Sequence, residues 1–323
     1  MPPDFTPAEV TSPSPGATSP LRRLAPLVVL VLVAAGGVIL VARNGEGLRT
    51  AVSHVGFWAI VVSAILAIAG TACVEQIWVR LLIGAGETLD ARAAASVFFI
   101  SQFGKYLPGS LWPVLAQMEF GRRSGIRRRV MLSSNICMLA IVAVTGLLVG
   151  AALLPWSQPE GLRRYAWAFL FLPPLLAALH PRTIPWVLDL ILRALHREPL
   201  GLRVKSVEIA RACGWGFATW ALLGAHVAVM TAALGGDGLM GVVASVGGMA
   251  LGFAAGLLFP LTPAGAGIRD AVIVLTLTPQ IGATNALAVA LASRVLMVLA
   301  DALLAGAGGL IGRRAIGGMS ARL

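Results

Sequence analysis

The sequence has little charge for its length. Asp, Glu, Lys and Arg make up 12% of the 323 residues, whereas a soluble domain has about a quarter. Apolar residues make up 58%, and the mean hydropathy is +0.86. These values exclude an ordinary soluble domain and predict an all-α polytopic membrane protein.

Acidic residues are scarce even within this small charged fraction. The chain has 14 Asp and Glu against 25 Lys and Arg, which gives a net charge of +11. In a soluble chain such an excess would indicate a nucleic-acid partner. In a membrane protein the basic residues instead set topology and contact anionic lipid, so we expect no nucleic-acid partner.

Cysteine and catalytic motifs are also rare or missing. Cys73, Cys137 and Cys213 lie in apolar runs without paired spacing, which favours neither a disulfide nor a metal site. No HExxH, GxxxxGK[ST] or GxSxG motif occurs. We therefore expect no cofactor, no metal and no ATP-driven pumping by this chain. We do not expect an enzyme, although a transferase stays open as an alternative.

Hydropathy divides the chain into a tail and one transmembrane domain, 21–323. Residues 1–20 are rich in Pro, Ser and Thr and predict a disordered cytoplasmic tail. Full spans are predicted at about 24–42, 56–79, 130–154, 165–180, 212–234 and 284–312. The segment 181–211 predicts a cytoplasmic amphipathic helix on the membrane surface, because WVLDLILRALHR places apolar residues on one face; the alternative is an ordinary solvated loop helix.

Residues 93–118, AAASVFFISQFGKYLPGSLWPVLAQM, form a broken apolar stretch. Each apolar part is shorter than the roughly 20 residues of a full span, so we predict a re-entrant hairpin. Its backbone breaks are Gly104, Pro108 and Gly109. Lys105 lies beside the turn and Ser110 is a suitable N-cap for the second helix, which outlines an anion site. The alternative is an interfacial helix pair whose lysine reaches the head groups.

A second broken stretch fills 239–279 and contains FPLTPAGAGIRDA. Its breaks are Pro260, Pro263, Gly265 and Gly267. A new helix is predicted near Ile268, with Arg269 and Asp270 in its first turn. In the preceding run, Ala244, Gly248, Gly252 and Gly256 recur every four residues, which predicts a face for close helix contact.

The distribution of basic residues indicates the topology. With the N-terminus inside, 18 basic residues fall in cytoplasmic segments and four fall outside, while Lys105, Arg269 and Arg294 lie at membrane depth. This asymmetry requires both broken stretches to return to the side they entered, and both termini to be cytoplasmic. The resulting pattern is an inverted repeat, about 24–154 and 165–312, of the kind found in secondary transporters.

Three stretches carry a resemblance to a known family: LPGSLWP, LTPAGAGIRDA and ALASRVLMVLADALLAGAGG. They resemble the lysylphosphatidylglycerol synthase transmembrane family of bacterial integral membrane proteins, also described as flippase-like. Pro260, Pro263, Gly265, Gly267 and Asp270 map onto its proline, glycine and glutamate motif, and Arg294 onto its downstream arginine. Ala264 and Asp270 depart from the family's glycine and glutamate.

The resemblance implies a bacterial cell-membrane protein that moves an anionic phospholipid or a polyprenyl-phosphate-linked lipid between leaflets. Synthases of the family carry an additional soluble domain, so we do not expect this chain to be a synthase by itself. Alternatives are an integral-membrane lipid or glycosyl transferase, and a non-catalytic scaffold for a cytoplasmic synthase. The chain could also bind a cytoplasmic or membrane synthase, and it could form an oligomer.

The site hypothesis follows from the charges at membrane depth. The predicted ligands of the lipid phosphate are Lys105, Ser110, Arg269 and Arg294. The predicted positioning or proton-coupling acids are Glu75, Asp270 and Asp301. Alternatively, these cations and acids only neutralise each other. Arg294 and Asp301 are seven residues apart on one helical face, about 10 Å by rise, so they are not expected to pair directly.

Overall fold

The computed structural model describes residues 50, 53–106, 112–123, 125–158, 160, 161, 163, 166–180, 182, 183, 186, 189, 190, 193, 204–236, 238–258, 265 and 267–320. The helices are α1 (Phe57–Gly84), α2 (Ala91–Gln102), α3 (Trp112–Arg123), α4 (Arg128–Leu153), α5 (Leu172–Ala178), α6 (Ser206–Ala233), α7 (Gly238–Leu258) and α8 (Ile268–Ser320). Short 3₁₀ helices cover Phe103–Tyr106, Leu154–Trp156 and Ala166–Phe171. No strand occurs among the described residues.

Five of the described helices are long and apolar enough to cross a membrane: α1, α4, α6, α7 and α8. The prediction of an all-α polytopic membrane protein is therefore confirmed. The predicted spans at 56–79, 130–154 and 212–234 correspond to α1, α4 and α6. The predicted span at 24–42 and the tail 1–20 lie outside the described residues, as does most of the predicted amphipathic helix.

The region 165–180 is shorter than a full span. It consists of a six-residue 3₁₀ helix followed by the seven-residue α5, which begins with prolines in its first turn. Their combined rise is about 22 Å, below the roughly 30 Å of hydrocarbon. Pro173 and Pro174 have no N–H to donate, so they are tolerated at the start of a helix and not within one continuous span.

Helices α1 and α6 pack against each other in antiparallel directions. A Cβ added to Gly70 would meet Leu223, and one added to Gly84 would lie 3.0 Å from Glu208 Cβ. These small residues allow close approach of the two helices in an environment where the hydrophobic effect does not drive helix association. The end of α1 therefore lies beside the start of α6.

The first predicted hairpin is formed by α2 and α3. Each has 12 residues and a rise of about 18 Å, so neither can cross the membrane alone. A Cβ on Gly104 would lie 2.8 Å from Pro113 N, and Gln117 Nε2 donates to Ser101 Oγ at 2.8 Å. The two arms are therefore antiparallel, and the break at Gly104 is a place of close backbone approach.

The second predicted hairpin is formed by α7 and the first part of α8. Gly282 has non-helical angles (φ 77°, ψ 160°) and divides α8 into α8a (268–281) and α8b (283–320). A Cβ on Gly256 would lie 3.0 Å from Gly265 Cα, one on Gly252 would lie 3.0 Å from the Arg269 carbonyl oxygen, and one on Gly236 would lie 2.6 Å from Ile281. Hence α8a runs back along α7 to the end where α7 began.

The small-residue face of α7 is confirmed by these contacts. Ala244, Gly252 and Gly256 are buried, and Gly248 would clash with Thr276 if it carried a Cβ. A 21-residue α7 is itself long enough to cross the hydrocarbon. The close packing of α8a on this face places Gly265 against Gly256, near the end of α7.

The two hairpins open at opposite ends of the bundle. Arg127 Nε lies 3.4 Å from Glu87 Oε1, which places the open end of hairpin α2/α3 where α1 ends and α4 begins. Gln280 Nε2 donates to Ser157 O at 2.5 Å, which places the open end of hairpin α7/α8a where α4 ends. Opposite entry is what an inverted repeat requires. The complete repeat stays a prediction, because it includes 24–42.

Candidate functional site at the meeting of the hairpin tips

The tip of the first hairpin contacts α8b through a buried carboxylate. Lys105 Nζ lies 2.7 Å from Asp301 Oδ2, and the Tyr106 hydroxyl donates a short hydrogen bond to the same oxygen. Both residues come from the 3₁₀ turn that follows α2. An ion pair and a hydrogen bond to one carboxylate oxygen hold this tip against α8b.

The tip of the second hairpin contacts α8b by an ion pair of opposite polarity. Asp270 lies in the first turn of α8a, and its Oδ2 is 3.1 Å from an Nη of Arg294 on α8b. The same oxygen accepts a hydrogen bond from Gly267 N at 3.1 Å. This carboxylate therefore caps the start of α8a and also holds Arg294.

Arg269 brings the two tips into one electrostatic cluster. It is 5% exposed, and its Nε is 3.8 Å from Asp270 Oδ1, which is too long for a hydrogen bond. Arg269 also interacts electrostatically with Arg294, Tyr106 and Asp301. Lys105 thus pairs with Asp301, while Arg294 and Arg269 both lie near Asp270.

The cluster is incompletely neutralised and incompletely hydrogen-bonded. Three cations and two carboxylates leave one net positive charge. Four of its buried atoms have no hydrogen-bond partner among the described residues: Arg269 Nε, Arg294 Nε, Asp270 Oδ1 and Asp301 Oδ1. A buried donor or acceptor left unsatisfied costs about 1–3 kcal/mol, and more when it is charged. An anion in contact with both guanidinium groups would relieve part of this cost.

Exposure differs sharply within the cluster. The side chains of Lys105 and Arg294 are 25% and 28% exposed, whereas those of Arg269 and Asp301 are 7% and 1% exposed. Arg294 and Asp301 are separated by about 10 Å of helical rise along α8b. The cluster therefore has two partly exposed cations, Lys105 at the tip of the first hairpin and Arg294 on α8b, whereas Arg269 and Asp301 are buried.

The predicted pairing of charges is partly right. Lys105, Arg269, Arg294, Asp270 and Asp301 come together, and Arg294 and Asp301 have different partners, as their spacing predicts. Glu75 is a different case. It is buried and accepts a hydrogen bond from Gln76 Nε2 at 2.7 Å, and none of the ion pairs among the described residues includes it. Its predicted role beside the cations stays without a structural contact.

The predicted backbone breaks are placed in part. Gly104, Gly265 and Gly267 lie at the two tips, and the positive φ angles of Gly265 (68°) and Gly267 (85°) favour glycine over any residue with a Cβ. Lying outside the described residues are Pro108, Gly109, Ser110, Pro260 and Pro263. Ser110 therefore stays a predicted ligand without an observed position.

A second buried polar network includes Ser293, which precedes Arg294 in the chain. His226 Nδ1 is 2.7 Å from Ser63 Oγ, and His226 Nε2 is 2.9 Å from Ser293 Oγ. All three side chains are fully buried, and the network joins α1, α6 and α8b. Both ring nitrogens of His226 have partners, so the geometry favours a hydrogen-bonded packing residue.

Sequence reasoning missed Tyr106 and the two serines. Tyr106 follows Lys105 directly and is one of only two tyrosines in the chain. A hydroxyl beside an intramembrane cation is a usable signal, because a polar group at that depth needs a hydrogen-bond partner. Ser63 and Ser293 gave no comparable signal, since an isolated serine can bond its own helix backbone.

Helical composition, hairpins that open at opposite ends and a charged cluster at their tips define a polytopic membrane protein with a buried polar centre. Comparison with known protein families matches residues 26–305 to the lysylphosphatidylglycerol synthase TM region. The chain belongs to this family. No curated protein matches the chain in a direct comparison. The resemblance carried by the two broken motifs and Arg294 is thus confirmed at the level of the family.

Proposed function

We propose that this protein moves a lipid with an anionic or phosphate-linked head group between the leaflets of the bacterial cytoplasmic membrane, without changing the lipid covalently. Membership in a lipid-related membrane family supports a lipid as the ligand. The hairpin tips, which bring polar backbone to the interior of the bundle, support a path for its head group.

One observation carries the proposal: one buried nitrogen of each of the two guanidinium groups in the cluster has no acceptor among the described residues. Arg269 and Arg294 each have a buried Nε without a hydrogen-bond partner among the described residues. An arginine at membrane depth costs about 2.5–3.5 kcal/mol unless it is paired or wet. A lipid phosphate offers oxygens to both arginines in the geometry that guanidinium groups bind best. The single excess positive charge fits a head group of net negative charge at the phosphate.

The two ion pairs on α8b give the proposed path a direction along the helix. Arg294 contacts the tip of the hairpin that opens at one end of the bundle, and Asp301 contacts the tip of the hairpin that opens at the other end. A phosphate moving from one end to the other passes both tips within about 10 Å. In this proposal each tip separates from α8b when the head group enters from its side.

The proposed orientation places the start of α4 on the cytoplasmic side. Exposed arginines collect there, among them Arg92, Arg127, Arg128 and Arg129. Positive residues prefer the cytoplasmic side of a span. Both termini are then cytoplasmic, as the distribution of basic residues predicts.

The test uses purified protein in vesicles that contain a fluorescent phosphatidylglycerol, with bleaching of the outer leaflet as the readout of translocation. Arg294→Lys keeps the charge but loses the fork of donors, so we expect translocation to fall about ten- to a hundredfold, equivalent to about 1.5–3 kcal/mol for a charge-assisted hydrogen bond. The matched control is Arg128→Lys, because Arg128 is 64% exposed and pairs with Glu119 only at 3.8 Å.

The control variant should translocate like the unmodified protein. Equal translocation by Arg294→Lys would contradict the assignment of Arg294 as a phosphate ligand and leave it as one half of an ion pair. No translocation of any anionic lipid by the unmodified protein would contradict the proposed function itself.

A further inference from the structure

The carboxylate of Asp270 lies where an anion from outside the chain would be expected to bind. Its Oδ2 accepts a hydrogen bond from the backbone N–H of Gly267 at 3.1 Å and forms an ion pair with Arg294 at the same distance. A free N–H at the start of a helix together with an arginine is a common arrangement for a phosphate oxygen. In this protein one oxygen of an aspartate occupies that position.

The aspartate fills the position incompletely. Its Oδ1 is buried without a hydrogen-bond partner among the described residues, and so is Arg269 Nε, which lies 3.8 Å away. Arg269 is only 5% exposed, and its Nε lies within ion-pair distance of this carboxylate. A carboxylate on a short side chain in the same helical turn cannot bring both oxygens to both arginines. A tetrahedral phosphate that is free to move has no such restriction.

Asp301 provides a contrast within the same cluster. Its Oδ2 is held by Lys105 and Tyr106, and its side chain is 1% exposed. The side chain of Asp270 is 16% exposed, and its partner Arg294 is 28% exposed. Of the two carboxylates, that of Asp270 is therefore the one that an incoming anion can reach, whereas that of Asp301 is enclosed.

We propose that Asp270 acts as an internal competitor of the ligand: its carboxylate occupies the anion position between Gly267 and Arg294, and the lipid phosphate binds by displacing it. This inference rests on the proposed function and adds the residue that controls entry to and exit from the site. When the phosphate leaves, the carboxylate returns and prevents the arginines from remaining exposed without a partner. Only a head group with sufficient negative charge therefore displaces the Asp270 carboxylate from Arg294.

Asp270→Asn should tighten binding of an anionic lipid, although it changes a residue of the binding site. Asp270→Asn keeps an oxygen that can accept the Gly267 hydrogen bond, but it removes the charge that competes with the ligand. We expect the Kd for a short-chain phosphatidylglycerol to decrease about tenfold in detergent. We also expect translocation to become slower, because the bound head group is no longer displaced. The affinity for the zwitterionic short-chain phosphatidylcholine should change much less.

The matched variant is Asp301→Asn. It removes a carboxylate from the same cluster, but from the enclosed pair, so it should not tighten binding of the anionic lipid. If instead both variants tighten binding to the same extent, the effect is one of overall charge and the specific role of Asp270 is refuted.

If Asp270 served only as a helix cap, its substitution would have a different effect on lipid binding from the one expected of a competitor. If Asp270 only caps α8a, Asp270→Asn should weaken or leave unchanged the binding of phosphatidylglycerol, and either result overturns the inference. Asp270→Ser also removes the charge and serves the same comparison if the asparagine variant is unstable. If neither variant folds in the presence of phosphatidylglycerol, Asp270 is a structural anchor and the inference is likewise overturned.

The binding of the unmodified protein separates this inference from the proposed function. If the unmodified protein binds and translocates phosphatidylglycerol while Asp270→Asn does not bind it more tightly, only the competitor role fails. If the unmodified protein neither binds nor translocates an anionic lipid, the proposed function fails first.

Discussion

Gly252 is the position where the packing of the second hairpin most directly controls the site. A Cβ at Gly252 would lie 3.0 Å from the carbonyl oxygen of Arg269, 3.4 Å from its Cγ and 3.3 Å from Val272 Cβ. Gly252→Ala therefore presses on the backbone and on the side-chain stem of the buried arginine. The two hairpin arms must move apart before the methyl group fits.

The size of the effect follows from these distances. Non-bonded heavy atoms are best separated by about 3.5–4.0 Å, so α7 and α8a must separate by about half an ångström at this level. Overpacking of a closed interface costs about 1–3 kcal/mol, while replacing glycine by alanine within a helix recovers up to about 1 kcal/mol. We expect a net loss of about 1–2 kcal/mol in stability. We also expect translocation to fall about tenfold, because Arg269 moves with its helix.

The assay combines thermal unfolding in detergent with translocation in vesicles. The matched control is Gly306→Ala on α8b. An added Cβ there would have no heavy atom from elsewhere in the described residues within 4 Å. The control should be as stable as the unmodified protein or slightly more stable, with unchanged translocation. If Gly252→Ala behaves like Gly306→Ala in both measurements, close contact of the hairpin arms does not position Arg269.

Two further predictions concern the first hairpin and the orientation. Lys105→Met leaves the buried Asp301 without its cation and should lower the free energy of unfolding by up to about 3 kcal/mol. The double variant Lys105→Met with Asp301→Asn should recover most of that stability but not translocation. If it recovers both, the pair has only a structural role. Arg127→Cys should react with a membrane-impermeant thiol reagent only from the cytoplasmic side. The three native cysteines are buried and should give little background labelling. Labelling of the variant in intact cells would contradict the proposed orientation.

Much of the fold could be predicted from the cost of polar groups in lipid. Spans α1, α4 and α6 are continuous apolar runs, and the two hairpins follow from glycine and proline where a helix would otherwise continue. The four-residue spacing of Ala244, Gly248, Gly252 and Gly256 predicted the contact face of α7 correctly. The region 165–180 was overestimated, because its apolar composition outweighed the effect of Pro173 and Pro174 on helix length.

The members of the site could be predicted, but their pairing could not. Lys105, Arg269 and Arg294 were apparent because a charge at membrane depth needs a function or a partner. Asp270 and Arg294 are 24 residues apart and meet only because Gly282 turns α8b back beside α8a. Glu75 has the same sequence signal as Asp301 but has a neighbouring glutamine as its partner. Which acid meets which cation depends on helix packing, and composition does not determine it.

The central claim is that the arginines at the hairpin tips bind the anionic group of a lipid. The most direct measurement is native mass spectrometry of the purified protein with its co-isolated lipids. The unmodified protein should retain an anionic phospholipid or a lipid-linked phosphate, and Arg269→Gln with Arg294→Gln should lose it while keeping neutral lipids. Equal retention of anionic lipid by the double variant and the unmodified protein would contradict the claim.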